Sequence, residues 1–206
     1  KTDQYIRDRC YESAQKVYTP AVHPREPFAR SRGLRTSPFY EREVALGGYF
    51  MEVAGWERAH GYAANEETLL TKYRDRIPTR QAEWDNRHFW EVSNAEQLAM
   101  SDGVGMINLS HFAIFDVEGP DAEGLMEYVS VAKVGTDTAL GKGVYTHFLD
   151  HAGGIRSDLT IIRLASDCYR VVCGGDTGHR DYIWMRNIKD KHGFPNVTFH
   201  DQSEQP

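Results

Sequence analysis

A tyrosine and an aspartate on either side of a two-glycine turn are the residues of this sequence best suited to acid–base chemistry. Tyr145 lies in an alternating segment and Asp158 opens the next apolar run, with Gly153-Gly154 between them. A hairpin of this kind folds the two strands back on each other, so a phenol and a carboxylate can line one pocket. A carboxylate beside an apolar run is a candidate for a perturbed acid or base. The residues alone leave a plainer alternative open, in which Asp158 caps a turn and Tyr145 belongs to the core.

Two other groups of residues have the composition of small-ligand sites. The loop GGDTG, residues 174–178, lies between a predicted strand and a predicted helix start, where backbone N–H groups can receive an anion. The same composition is also typical of an ordinary tight turn. His147 and His151 are four residues apart, but a zincin motif needs a helix and a Glu directly after the first His. Phe148 follows instead, in a predicted strand, so we expect no metal site here.

The elements that must position these residues are clearest in the second half of the chain. Apolar alternation and turn residues predict strands, and apolar spacing of three to four residues predicts helices. The predicted strands are 104–109, 111–118, 143–149, 159–164, 169–173 and 196–199, and the predicted helices are 86–102, 121–131 and 176–192. Hairpin-connected strands interrupted by single helices indicate an α+β fold with a largely antiparallel sheet.

The first half is less regular. Residues 1–19 predict a short amphipathic helix, and four prolines with four arginines predict an extended segment over 20–38. Glycines interrupt any long periodicity over 39–84. The residues expected on the apolar face of the first helix are Tyr5, Ile6, Cys10, Ala14 and Val17.

The charge, the cysteine content and the absence of certain motifs disfavour several classes of protein. The 206 residues carry a net charge of −6 with a pI of about 5.8, which is unlike the basic surface of nucleic-acid-binding proteins. Three cysteines without close spacing disfavour a disulfide framework or a structural zinc site. No apolar run approaches the roughly 20 residues of a membrane span. No G-x-G-x-x-G fingerprint follows a strand. The start at Lys1, without Met, indicates a processed chain or part of a longer one.

Several motifs resemble a known family. INLSHF, EGPDAEGLMEYV, GVYTHFLDHAGGIRSDLTIIRL and DYIWMR are similar to segments of the aminomethyltransferase of the glycine cleavage system and its relatives. Upstream, LRTSPFYEREVALGGYFMEVAGWER resembles the linker and entry segment of flavin-dependent sarcosine and dimethylglycine dehydrogenases, where the folate domain follows a flavin domain. The resemblance covers roughly residues 23–192.

The resemblance implies a fold and a site. The fold would be an aminomethyltransferase folate-binding domain, a ferredoxin-like antiparallel sheet with helices on one face, incomplete here and preceded by an extended linker. Residues 1–38 would be the tail of a flavin oxidoreductase domain with that linker, and 39–206 the N-terminal part of the folate-binding domain. Asp158 would be catalytic, and Tyr145, Asp158 and Gly174 would bind tetrahydrofolate.

The resemblance also implies a reaction. The enzyme would transfer a one-carbon unit from an oxidised N-methyl amine to tetrahydrofolate, with FAD in a flavin domain of the same enzyme. Its partners would be the amine and that flavin domain, without nucleic acid or membrane, in a bacterial cytoplasm or a mitochondrial matrix. Two alternatives remain: a non-catalytic docking or structural module with this fold, and a folate-dependent demethylase.

The sequence departs from the family pattern at several places around the site. Asn108 replaces the Asp of D-x-S-H, and Ser157 replaces the first Asp of a D-D pair. Asp150-His151 replaces Asn-Glu, and the strand end before the GGDTG loop lacks an amide that helps to hold folate in the family.

Overall fold

The computed structural model describes residues 2–17, 28–81 and 89–203, which form two compact units, 1–109 and 110–206. The first unit contains α1 Asp3–Val17, α2 Tyr40–Ala45, β1 Gly48–Val53, β2 Trp56–Tyr62, α3 Ala63–Tyr73, a 3₁₀ turn Arg74–Arg76 and α4 Trp90–Asp102. The second contains β3 Ala113–Glu118, α5 Ala122–Val129, β4 Gly143–Leu149, β5 Ile155–Ala165, β6 Cys168–Cys173, α6 Gly178–His192 and β7 Thr198–Asp201. None of the described helices is long and apolar enough to cross a bilayer.

Helix α1 forms where the sequence predicts it, but it buries a different face. Tyr5 is buried together with Asp8 and Glu12, whereas Ile6 and Cys10 are exposed. The buried acids accept hydrogen bonds, Asp8 from the Ser31 hydroxyl and Glu12 from the backbone N–H groups of residues 29 and 30. The helix therefore packs through polar contacts that an apolar-spacing rule cannot detect.

The β1–β2 hairpin is the centre of the first unit, and its antiparallel pairing runs from Gly48–Tyr62 to Val53–Trp56. Two buried acids, Glu52 and Glu57, lie opposite each other next to its turn and connect it to neighbouring segments. Glu52 accepts a 2.9 Å hydrogen bond from Tyr5 and pairs with Arg9 at 2.8 Å. Glu57 accepts a 2.9 Å bond from Arg32 Nε. The chain from 28 onward is thus attached to the hairpin, without forming a helix before residue 40.

The predicted strand 104–109 is wrong. These residues form no strand, and four apolar side chains along them are exposed: Val104 by 99%, Met106 by 92%, Ile107 by 65% and Leu109 by 53%. Helix α4 ends before Gly103, as predicted, and its predicted start at 86 lies outside the described residues. An apolar run becomes a strand only when another backbone pairs with it, and no strand of the described chain does so.

The second unit is a five-stranded sheet with strand order β4-β5-β6-β3-β7. All of its pairs are antiparallel, as predicted. The three strands 143–149, 159–164 and 169–173 predicted from alternation correspond to β4, β5 and β6, of which β5 begins four residues earlier. Helix α6 ends at Gly193, whose φ of 82° gives the left-handed turn that favours glycine.

Helices α5 and α6 cover one face of this sheet. They contribute Leu125, Met126, Met185 and Ile188 to a single core that also contains alternate residues of the strands. The strand residues in this core are Ala113, Phe115, Val117, Phe148, Leu159, Ile161, Tyr169, Val171 and Cys173. The intervening strand residues point to the face that α5 and α6 do not cover, which we call the outer face.

Candidate functional site

Tyr145 and Asp158 meet on the outer face of the sheet. Thr146 and Phe148 in β4, and Ser157 and Leu159 in β5, are buried on the helix-covered face, so their neighbours Tyr145 and Asp158 point the other way. Because Tyr145 pairs with Thr160 and His147 with Asp158, the tyrosine and the aspartate are diagonal neighbours. The Tyr145 hydroxyl donates a 3.2 Å hydrogen bond to Asp158 Oδ2.

Both side chains of this pair are exposed. Tyr145 is 63% exposed, so the alternative in which it is a core residue is wrong. Asp158 is also exposed and does not form a buried acid. The hydrogen bond to the Asp158 carboxylate raises the pKa of Tyr145, with smaller contributions from burial and from the nearby negative charge. The phenol therefore stays protonated at neutral pH and acts as a donor, while the carboxylate keeps further lone pairs for another donor.

Gly174 lies at the same end of the sheet. It follows Cys173, which pairs with Leu159, the residue after Asp158. Its carbonyl accepts hydrogen bonds from the N–H groups of Thr177, at 3.1 Å, and Gly178, at 2.8 Å. A Cβ atom on Gly174 would lie 3.0 Å from Asp176 Oδ1, so a larger residue would require the Asp176 side chain to shift by a few tenths of an ångström. The GGDTG loop is a tight strand-to-helix turn adjacent to the Tyr145–Asp158 pair.

A buried network beneath this end of the sheet was not predicted from the sequence. Asp181 in α6 is 1% exposed and accepts hydrogen bonds from Ser157, at 2.8 Å, and from Thr177, at 2.9 Å. It thereby joins the residue before Asp158 to the turn that begins at Gly174. Burial and the neighbouring Asp181 carboxylate raise the pKa of the Cys173 thiol to about 12. The one local signal was the spacing of Thr177 and Asp181 across the first helical turn.

The two histidines that resembled a metal motif occupy different surroundings. His147 lies on the outer face, with its ring 5.3 Å from that of Tyr145 in an edge-on arrangement. His151 lies 5.6 Å from the ring of Trp184, in a groove between the β4–β5 turn, α5 and α6. Among the described residues, no group of three or more His, Cys, Asp or Glu side chains is arranged to hold a metal ion.

Comparisons with known proteins give the chain a family. The GCVT N-terminal domain model matches residues 39–205, and the FAD dependent oxidoreductase central domain model matches residues 1–37. A 4-methylaminobutanoate oxidase (formaldehyde-forming) of Paenarthrobacter nicotinovorans is 31% identical over 89% of this chain and 21% of its own length. The mitochondrial sarcosine dehydrogenase of Mus musculus is 26% identical over 90% of this chain and 23% of its own length.

A solved structure supports the fold. The glycine cleavage system aminomethyltransferase T from Bartonella henselae matches with a TM-score of 0.58 and 21% identity, over 82% of this chain and 38% of that chain. The chain thus spans between a fifth and two fifths of the proteins that it resembles, from 21% to 38% of their lengths. Because the GCVT N-terminal domain model matches well over half of its residues, the chain belongs to the GCVT N-terminal domain family.

Proposed function

We propose that the outer face of the sheet binds tetrahydrofolate, in an enzyme that transfers a one-carbon unit from an oxidised N-methyl amine to this cofactor. The observation that carries the proposal is the 3.2 Å hydrogen bond between Tyr145 and Asp158. It places an accessible aromatic ring and an accessible carboxylate side by side on one sheet face. Membership of the GCVT N-terminal domain family supports the choice of folate.

The residues present fit a flat, nitrogen-rich ligand. Tyr145 offers a ring face for stacking and a hydroxyl, and Asp158 offers carboxylate oxygens that can accept hydrogen bonds from N–H groups. Gly174 lies in the neighbouring strand-to-helix turn, next to the end of the strand that pairs with Leu159. Tetrahydrofolate, when bound, supplies the two amine nitrogens that take up the one-carbon unit. Asp158 would hold a ligand N–H and accept its proton, and Tyr145 would orient the ring.

The flavin chemistry belongs, in this proposal, to another domain of the same enzyme. Residues 1–38 would be the tail of a flavin oxidoreductase domain with its linker, and 39–206 the N-terminal part of the folate-binding domain. The match of residues 1–37 to the FAD dependent oxidoreductase central domain supports this division. FAD would oxidise the N-methyl amine there, so no residue of this chain is assigned to FAD. The names of the bacterial and mitochondrial relatives support an N-methyl amino acid as the substrate class.

An anaerobic calorimetric titration with tetrahydrofolate tests the proposal. We expect the chain to bind and Asp158→Asn to weaken binding by at least about tenfold, since an amide replaces a charged acceptor. Asp190→Asn, an exposed aspartate in α6, is the matched control and should bind like the unsubstituted chain.

The outcomes separate the candidate functions. Equal affinity of the Asp158→Asn and Asp190→Asn variants would contradict the proposed site. A complete lack of binding by the unsubstituted chain, repeated with the longest available form of the enzyme, would favour the docking or structural module.

A further inference from the structure

His147 is a third side chain of the Tyr145–Asp158 cluster. It faces Asp158 directly in the β4–β5 register, and directly opposed residues on one face have Cβ atoms about 5 Å apart. Its ring contacts Tyr145 edge-on at 5.3 Å, so all three side chains lie on the same face. An imidazole can hydrogen-bond to a carboxylate through either ring nitrogen, provided that this nitrogen carries a proton.

The charged groups around His147 leave Asp158 as its natural ionic partner. On its own strand the neighbour is Tyr145, which remains a neutral donor. Arg156, the nearest cation on β5, stacks instead over Trp184, with its Cζ 4.2 Å from the ring centre. Beyond the edge of β4, Val131 donates its N–H to the His147 carbonyl at 3.2 Å, and Lys133 there pairs with Glu127 at 3.3 Å.

We propose that His147 is a positioning residue of the folate site, which takes over the proton that Asp158 accepts and so couples the site to pH. This inference rests on the proposed function. When a folate amine nitrogen bonds to the one-carbon unit, it uses its lone pair and becomes cationic. The proton that this nitrogen then releases goes first to an Asp158 oxygen and then to a ring nitrogen of neutral His147. The carboxylate is thereby restored and paired with an imidazolium, without any change in electron count.

Ordinary acidities favour this direction of transfer. An imidazole has an ordinary pKa of about 6.5 and an aspartate of about 3.9, so the proton moves to the more basic group. An imidazole that already carries a proton on both ring nitrogens cannot accept another. The coupling therefore predicts that proton acceptance fails as pH falls through the histidine range.

A ring-proton NMR titration of His147 in the full chain, without folate, tests the pairing independently of any ligand. An adjacent carboxylate favours the imidazolium. We therefore expect Asp158→Asn to lower the titration midpoint of His147 by a measurable amount. Asp190→Asn should leave it in place. A midpoint that moves by less than about 0.2 units in the Asp158→Asn variant overturns the inference, whether or not folate binds.

The second measurement is the number of protons exchanged on tetrahydrofolate binding between pH 5.5 and 8.5, from calorimetry in buffers of different ionisation enthalpy. In the His147→Gln variant, the change in the number of exchanged protons near the imidazole pKa should disappear. The affinity for tetrahydrofolate at pH 8.5 should change by less than about threefold. His200→Gln, on the opposite edge strand of the same sheet, is the matched control. Persistence of that change near the imidazole pKa in the His147→Gln variant overturns the inference and leaves the Tyr145–Asp158 site standing.

Discussion

Asp181 connects the two parts of the chain that carry the candidate site. Its carboxylate is 1% exposed and satisfies the hydroxyls of Ser157 and Thr177, which belong to β5 and to the turn before α6. Arg180 provides a longer contact, at 3.4 Å from Asp181 Oδ1. A buried carboxylate is tolerated when hydrogen bonds replace its lost hydration, and removing it leaves those donors unsatisfied.

Replacement of this carboxylate should be costly. We expect Asp181→Ala to lower the free energy of unfolding by about 3 kcal/mol, because the buried Ser157 hydroxyl and the partly buried Thr177 hydroxyl lose an acceptor and a small cavity forms. Urea unfolding followed by circular dichroism measures the change. Asp190→Ala, nine positions along the same helix and exposed, should change it by less than about 0.5 kcal/mol. If the free energy of unfolding falls by a similar amount in both variants, the hydrogen bonds to Asp181 contribute little to stability.

The elements differ in how far the sequence predicts them. The β4–β5 hairpin was predictable because apolar and polar residues alternate around the Gly153-Gly154 turn, and with it came the meeting of Tyr145 and Asp158. The β1–β2 hairpin was not predictable in this way. Glu52 and Glu57 are buried in ion pairs, so its apolar and polar residues do not alternate.

Two further features depend on tertiary structure alone. The run 104–109 has the composition of a strand, but composition does not provide a pairing partner. The contact between Ser157 and Asp181 joins residues 24 positions apart, which no local pattern predicts. The roles proposed for Tyr145, Asp158 and Gly174 remain predictions.

The start of α6 is set by close packing against β3. A Cβ atom on Gly178 would lie 2.2 Å from the Ala113 Cβ, which is far inside contact distance. We expect Gly178→Ala to lower the free energy of unfolding by about 2 kcal/mol, since helix and strand must move apart.

The other end of the same helix provides the comparison. Gly193 has open space around it but a φ of 82°, so Gly193→Ala should cost only about 1 kcal/mol of backbone strain. Urea unfolding of both variants measures the difference. A smaller loss for Gly178→Ala than for Gly193→Ala would contradict the packing argument.

At the scale of the molecule, the two units are stabilised in different ways. The second is built on one apolar core, whereas the first joins α1 and the segment after residue 28 to its hairpin through ion pairs. Burial alone would raise the pKa of Glu57, but hydrogen bonds from Arg32 and the Gly33 N–H outweigh it and hold that pKa below the ordinary value of 4.5. A hydrogen bond from the Ser31 hydroxyl likewise lowers the pKa of Asp8 below 3.8. This effect is larger than that of burial, which raises the pKa.

Acid should therefore weaken the first unit. A carboxyl whose pKa is lowered on folding contributes stability above its unfolded pKa, and that stability is lost as pH falls through the folded value. We expect the stability of this unit to decrease steadily below about pH 4.5. Near-ultraviolet circular dichroism, with the buried Trp56 as one reporter, follows this change.

A substitution identifies the group responsible. Glu57→Gln should flatten the pH dependence, and Glu91→Gln, at an exposed position of α4, should not. If the two variants show the same acid profile, the Arg32–Glu57 pair is not the source of the acid sensitivity.

The surroundings of Cys173, which is buried, and of Cys168, which is partly buried, leave the chain one exposed cysteine for chemical labelling. The Cys173 thiol has a pKa of about 12, and burial together with a bond to Glu118 raises the pKa of Cys168 to about 11. Thiolates, not thiols, react with maleimides, so both should stay unmodified in the folded chain at neutral pH. Cys10 is exposed on α1. One fluorophore should therefore attach to α1 without mutagenesis and report directly when this helix leaves the hairpin.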